Sequence, residues 1–315
     1  YGDHRDLHYP LRRQRQMCIR DRYKDVAMEE INLKQKEFWS GSGGDVWVNK
    51  QSEMDIMLNP LGTKAISKLD LSGVTKIIDI GCGCGATTLE IAKQLGEGEI
   101  IGVDISEPML ARAAKNASDQ SLSNANFQVL DVQVDDMPSD FDIAFSRFGV
   151  MFFEDPYQAF SNIYKSLKEN GQLSFVCWQN PSLNPWQSLS LQVIKEYLDL
   201  PSPPPKSPGP FAFEDKNYIS DILNQSNFKD IEIEDNQEDI VMFSGKSIEE
   251  ACEDYLTINP VVTEMLKNSK EELKDEILQA LILKFSEFHN GEGLLFLSLI
   301  HISEPTRQAE ISYAV

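Results

Sequence analysis

Asp79-Ile80-Gly81-Cys82-Gly83-Cys84-Gly85 is the stretch whose reading decides the fold. It ends Val74–Ile80, an apolar run of the kind expected for a strand buried on both faces. It precedes Thr87–Leu95, where Leu89, Ala92 and Leu95 share one helical face. A strand, a glycine turn and a helix in that order aim free backbone N–H groups and the positive end of the helix dipole at one point. Glycines let the chain turn sharply there and approach a ligand with no Cβ in the way. Alone, the turn is ambiguous. Gly81-x-Gly83-x-x-Ala86, with Asp104 about twenty residues on, also fits a dinucleotide-binding pattern.

Working outward, the chain keeps alternating strands and helices, which predicts an α/β fold with a parallel sheet. Glu99–Ile105 reads as the second strand. Ser106 caps the next helix, with Pro108 in its first turn and Met109, Leu110, Ala113 and Ala117 on its inner face. Asn126–Leu130 and Phe141–Phe145 read as strands three and four. Asp155-Pro156 opens a helix that carries Phe160, Ile163 and Leu167 inward. Gly171 ends it, and Gln172–Trp178 is the fifth strand. Beyond Trp178 six prolines between Pro201 and Pro210 surround the amphipathic segment Trp186–Leu198. This predicts a cap, because Trp186, Phe211 and Phe213 need burial. Phe228–Ile233 alternates like an edge strand. Ser247–Phe288 is helical, with Leu273, Ile277, Leu281 and Phe285 as an inner stripe. No internal repeat is found.

Three acids stand at three successive predicted strand ends. Asp79 comes two residues before the first glycine, where a nicotinamide site usually has an apolar residue, and a carboxylate there suits the ammonium of an amino-acid cofactor. Asp104, in Gly102-Val103-Asp104-Ile105, is placed to accept from two ribose hydroxyls. Asp131, in Leu130-Asp131-Val132, is placed to accept from an adenine amino group. Each alone could merely cap a helix or face water; the three together complement ammonium, ribose and adenine in turn.

The two ends read as foreign. Met17–Arg22 back-translates as ATGTGTATAAGAGACAG plus one base, and its reverse complement, CTGTCTCTTATACACAT, translates as Leu297–His301 and opens the Ile302 codon. Flanks 1–22 and 297–315 therefore resemble translated sequencing-adapter DNA, and the chain reads as a metagenomic fragment whose natural part is 23–296. The expected organisation is a lid or helical segment at 23–70, a cofactor-binding core at 71–180, a cap at 181–215 and a completion of the core at 216–296.

The chain holds 29 basic and 50 acidic residues, net −21. The flanks contribute seven of the basic and five of the acidic residues, so the part between them is more acidic still. Such a surface repels phosphate backbones and anionic lipid, which argues against nucleic-acid and membrane partners. No apolar run approaches the ~20 residues that span a bilayer. Cys82, Cys84, Cys177 and Cys252 form no disulfide framework, which suggests a reducing cytoplasm. Cys82-x-Cys84 lacks companion ligands, so no metal is expected.

Asp79–Gly85, Gly102–Ser106, Leu130–Val132 and Gly171–Trp178 resemble the successive motifs of class I S-adenosylmethionine-dependent methyltransferases. The likeness is closest to the group related to the ubiquinone/menaquinone-biosynthesis C-methyltransferases. Phe38-Trp39-x-Gly41 with Trp47, Ser146–Phe153, Phe175–Trp178, Asn184-Pro185-Trp186 and Gly209-Pro210-Phe211 extend it to most of the chain. The resemblance implies a Rossmann-like sheet in the order 3-2-1-4-5-7-6 with helices on both faces and a helical cap, the seventh strand being truncated where the flank begins. It implies S-adenosylmethionine as cofactor, with Asp79, Gly81, Cys82 and Gly83 at its methionine end and Asp104 on the ribose. Ile105 and Met109 would pack near the adenine, Asp131 and Val132 would read its edge, and Ser146 would close the site. Trp47 would fold over as a lid, and Arg147, Phe148, Trp178, Asn184 and Trp186 would border a small-molecule acceptor. No catalytic residue is assigned. His289 is the one histidine outside the flanks, so alignment rather than a histidine base is expected to drive transfer. A nicotinamide-dependent oxidoreductase and a non-catalytic cofactor-binding protein remain as alternatives.

Overall fold

The computed structural model describes residues 32–200, 203–258, 260–267 and 269–308. Its N-terminal part is three helices, α1 (Leu33–Ser40), α2 (Ser42–Asn49) and α3 (Gln51–Ile66). The alternating core follows: β1 (Lys76–Ile80), α4 (Ala86–Gln94), β2 (Glu99–Asp104), α5 (Glu107–Asp119), β3 (Ala125–Val129), β4 (Phe141–Arg147), α6 (Pro156–Ser166) and β5 (Leu167–Trp178). After it come α7 (Pro185–Lys195), α8 (Lys216–Gln225), β6 (Ile233–Met242), α9 (Ile248–Ile258), α10 (Pro260–Lys267), α11 (Glu271–Phe285) and β7 (Leu294–Ser303).

The expected starts and inner faces hold across the core. Ser106 Oγ accepts from the Met109 N–H and Asp155 Oδ1 from the Gln158 N–H, so both helices begin at side-chain caps. Met109, Leu110, Ala113, Ala117, Phe160 and Ile163 are all buried, and so is Leu167, which lies not on α6 but at the start of β5. Ile77, Ile78, Phe141, Phe145, Phe160 and Phe175 lie at the centre, and each full burial contributes about 1.5–3 kcal/mol.

The seven strands form one sheet in the order β3-β2-β1-β4-β5-β7-β6. Strands β1 to β5 are parallel neighbours, and β7 is antiparallel to both β5 and β6. Asp79 pairs with Gly102 on one side and Phe145 on the other, so the carboxyl ends of β1, β2 and β4 open along one edge. A change of strand order at β1/β4 is where open α/β sheets place ligands.

Three expectations are corrected. The seventh strand is not truncated: Leu294–Ser303 pairs with Phe175–Trp178 and with the whole of β6, and its Phe296, Ile300 and Ile302 are buried. The boundary at 296/297 is therefore not a boundary of the fold. Residues 304–308 also join it, with hydrogen bonds from the Leu173 N–H to Pro305 O and from the Lys229 N–H to Thr306 O. Residues 1–22, 23–31 and 309–315 lie outside the described residues. Second, Phe228–Ile233 is not a strand. Lys229 makes a single bridge to Thr306, and the strand is Ile233–Met242, whose mixed exposed and buried faces hid it in a polar sequence. Third, Ser247–Phe288 is divided into α9, α10 and α11, although Ile277, Leu281 and Phe285 do form the buried stripe.

Candidate active site

Asp79 is fully buried at the end of β1. Its Oδ2 accepts from Thr87 Oγ1 at 2.8 Å and Thr88 Oγ1 at 2.6 Å, both in the first turn of α4, whereas Oδ1 has no partner. Burial pushes the carboxyl up to about 6, against the lowering pull of the two threonine hydroxyls and of Arg147. The chain then turns through Gly81 (φ +65°) and Gly83 (φ +56°), whose N–H groups donate to Val103 O and Asp104 Oδ2. A Cβ on Gly81 would stand 2.7 Å from Gly149 Cα, so the turn and the loop after β4 touch only because both are glycine. Cys82 is buried, and desolvation holds its thiol well above the usual range, which suits a filler rather than a nucleophile.

Asp104 ends β2 with Oδ2 on the Gly83 N–H and Oδ1 on the Ser106 N–H, each at 2.9 Å. It therefore ties the glycine turn to the start of α5, and each oxygen keeps a lone pair for a further donor. Asp131, just past β3, accepts from the Gln133 N–H at Oδ1 and from Asn32 Nδ2 at Oδ2, the latter at 2.8 Å. Val132 is buried, and its carbonyl accepts from Asn162. Ser146 Oγ donates to Ile80 O at 2.7 Å, which binds the ends of β4 and β1 together.

Helices α1 and α2 cover this edge. Trp39 O accepts from Ser106 Oγ, Ser40 Oγ donates to Ile105 O, and the Trp47 indole nitrogen and Met109 Cε lie 3.7 and 3.6 Å from where a Gly83 Cβ would stand. The segment expected to fold over the turn thus packs on it, with Ile105 and Met109 beneath.

On the other side of β1 the candidate acceptor residues separate into two sets. Phe148 stacks on Trp178 with centroids 4.3 Å apart and planes at 10°. Phe148 has φ +63°, a costly conformation for an aromatic residue, and its N–H donates to Val176 O. Arg147 precedes it. Asn184 and Trp186, by contrast, are structural. Asn184 donates to Gln179 O and Leu299 O and accepts from Ser298 Oγ, the Leu299 N–H and the Trp186 indole, so it holds β7 and has no polar atom left for an acceptor. The polar atoms of both are used by one another and by β7, while the Trp186 ring lies 5.0 Å from that of Trp178.

Sequence reading missed Thr87, Thr88, Asn32, Asp55, Gly62 and Gly149. The paired threonines after a glycine turn were a legible signal. Asn32, Asp55 and Gly62 meet the site only through packing of the N-terminal helices.

Residues 77–171 match the family model described as a methyltransferase domain. This stretch contains the glycine turn and the carboxyl ends of β1, β2, β3 and β4. Residues 77–171 are thus similar to methyltransferase domains. The chain is 28% identical over 118 residues to aklanonic acid methyltransferase DauC of Streptomyces sp. (strain C5), covering 37% of this chain and 54% of that protein. It is 28% identical over 142 residues to demethylmenaquinone methyltransferase of Lactiplantibacillus plantarum, covering 42% of this chain and 58% of that one. The chain thus spans little more than half the length of these relatives. The YcgJ protein of Bacillus subtilis shares the fold, with TM-score 0.51 and 16% identity over 80% of this chain and 98% of that chain. The methyltransferase domain gives the oxidoreductase alternative no support.

Among the described residues no helix is long and apolar enough to cross a membrane.

Proposed function

We propose that the chain binds S-adenosylmethionine at the edge formed by β1, β2 and β3 and transfers its methyl group to a small molecule. The observation that carries this is the orphaned, buried Oδ1 of Asp79 beneath the glycine turn. An unpaired buried carboxylate oxygen is costly, and the ammonium of the cofactor's methionine end is the partner it fits. Asp104 would take the ribose hydroxyls, Asp131 and Val132 the adenine edge, and Gly81, Cys82 and Gly83 the backbone of the methionine end. Ile105, Met109 and Trp47 would enclose it. When bound, the cofactor supplies a methyl group already activated by a sulfonium.

The protein's task is then alignment, which can contribute about 7–11 kcal/mol, against roughly 3–5 kcal/mol from a general base. His289, the histidine nearest to being a base on sequence grounds, is engaged in a turn: Nε2 is 3.0 Å from Lys246 O, and Nδ1 accepts from the Gly291 N–H. Grouping with the quinone-biosynthesis methyltransferases is part of this reading, supported by the demethylmenaquinone methyltransferase likeness. So is the adapter origin of the flanks, supported by the inverted repeat they encode.

Calorimetry with S-adenosylhomocysteine and with NAD tests it. The first should bind and the second should not. Asp104→Ala should lower affinity for the first by about tenfold or more, since hydrogen bonds to a charged acceptor are worth about 1.5–3 kcal/mol each. Tight NAD binding, or an Asp104→Ala protein of unchanged affinity, would refute the assignment.

A further inference from the structure

The end of β4 carries a charge that feels Asp55 and Asp79 but hydrogen-bonds to neither. The Arg147 side chain is 8% exposed, and its Nη1 is shut off from solvent without a hydrogen-bond partner. Its nearest acid is Asp55 on α3, with Nη2 3.9 Å from Oδ1, too long for a hydrogen bond. Burial drives the Asp55 carboxyl upward, against the pull of Arg147, so that partner is itself a reluctant anion. A guanidinium offers five donors in a rigid fork. Leaving even one of them unused inside a protein costs more than leaving a neutral group unused, so the buried Nη1 marks the place of a missing acceptor.

The surroundings hold that side chain closely. A Cβ on Gly62 of α3 would stand 3.0 Å from Arg147 Cδ and 3.4 Å from Nη1, so a larger residue there would press on the guanidinium. Phe148, next in the chain, is held at positive φ with its ring flat on Trp178, and both rings are buried. A fork of donors followed directly in the chain by a buried aromatic pair fits a planar anion attached to an apolar body.

Resting on the cofactor reading above, we infer that Arg147 binds an anionic oxygen pair of the methyl acceptor, which is a small carboxylic acid or its enolate-like equivalent rather than a neutral or cationic molecule. The rival source of the same chemistry is the carboxylate of the cofactor's own methionine end. The acceptor is favoured because Arg147 packs on α3 and leads into the aromatic pair, whereas the first turn of α4 offers its own N–H groups to the cofactor's carboxylate.

The full chain saturated with S-adenosylhomocysteine is titrated with benzoate, trans-cinnamate and 2-naphthoate, and with the primary amide of each. At least one acid should bind about tenfold or more tightly than its amide. Arg147→Gln should abolish that margin while affinity for S-adenosylhomocysteine stays within about threefold. Arg147→Lys, which keeps the charge without the fork, should keep part of the margin and serves as the reading should the Gln variant not fold. The inference is overturned if no acid is preferred over its amide, or if the preference survives in Arg147→Gln. A loss of S-adenosylhomocysteine affinity of about tenfold in that variant would equally overturn it, by placing the cofactor's carboxylate on the guanidinium. A native chain that does not bind S-adenosylhomocysteine at all would refute the cofactor reading first, and this inference with it.

Discussion

Asp79 is held by two threonine hydroxyls on one oxygen and by nothing on the other, with its carboxyl pushed up to about 6 by burial. The ordinary value is 3.8. Because the folded value lies above the unfolded one, the native chain holds this proton more tightly. Asp79 therefore costs no stability below the unfolded value, costs progressively more as pH rises through the window, and costs roughly 3 kcal/mol above it. An ammonium bound at Oδ1 offsets that cost and requires the ionised carboxylate. Affinity for S-adenosylhomocysteine should then fall about tenfold between pH 7 and pH 5 as Asp79 takes up its proton. Asp79→Asn should bind weakly at both values, with the slope gone. Calorimetry at the two pH values decides it, and a native affinity that does not change over this range counts against Asp79 as the ammonium's partner.

Helices α1 and α2 act at the next scale. They touch the ends of β2 and β3 through Ser106, Ile105 and Asp131, three positions that sequence reading assigned to the cofactor or its cap. Asn32 donates to Asp131 Oδ2 while its own Oδ1 is buried without a partner. Its amide thus holds the acceptor that an adenine amino group would use, and holds it incompletely. A hydrogen bond of this kind contributes about 0.5–1.5 kcal/mol net. Asn32→Ala should free Asp131 and raise affinity for S-adenosylhomocysteine by roughly two- to tenfold. Weaker binding in this variant would mean that Asn32 supports the bound state instead.

At the scale of the molecule, β7 lies inside the sheet and not at its margin. It separates β5 from β6, pairing with both, and buries Leu294, Phe296, Ile300 and Ile302. His301 is fastened between Asp235 and Glu214 O, and Ser298 between Asn184 and the Trp186 indole. Deleting residues 297–315 would strip β6 of most of its partner and open the β5 edge. Losing a buried Ile or Leu side chain alone costs about 2–5 kcal/mol, and a domain of this kind has about 5–15 kcal/mol in all. The deletion should abolish the cooperative melting transition seen by circular dichroism. An unchanged transition would show that the fold closes without these residues.

The sequence by itself determined the alternating core, because each strand and helix there declares itself locally. The run Val74–Ile80, the capped starts at Ser106 and Asp155 and the apolar faces of α4, α5 and α6 need no distant partner to be read. The three strand-end acids were legible for the same reason: their positions follow from the strands that carry them. Tertiary structure alone decided the rest. Whether Leu297–Ser303 is a strand depends on an open edge between β5 and β6, and polar β6 becomes a strand only with β7 beside it. Asn184 looked like an acceptor contact until its amide was seen to grip β7. Arg147 acquires its meaning from Gly62 and Asp55, which lie far back in the chain and reach it only when α3 packs across the sheet. Local pattern fixes elements because hydrophobic periodicity is a short-range property, whereas a site is made by side chains that burial brings together from distant parts of the chain.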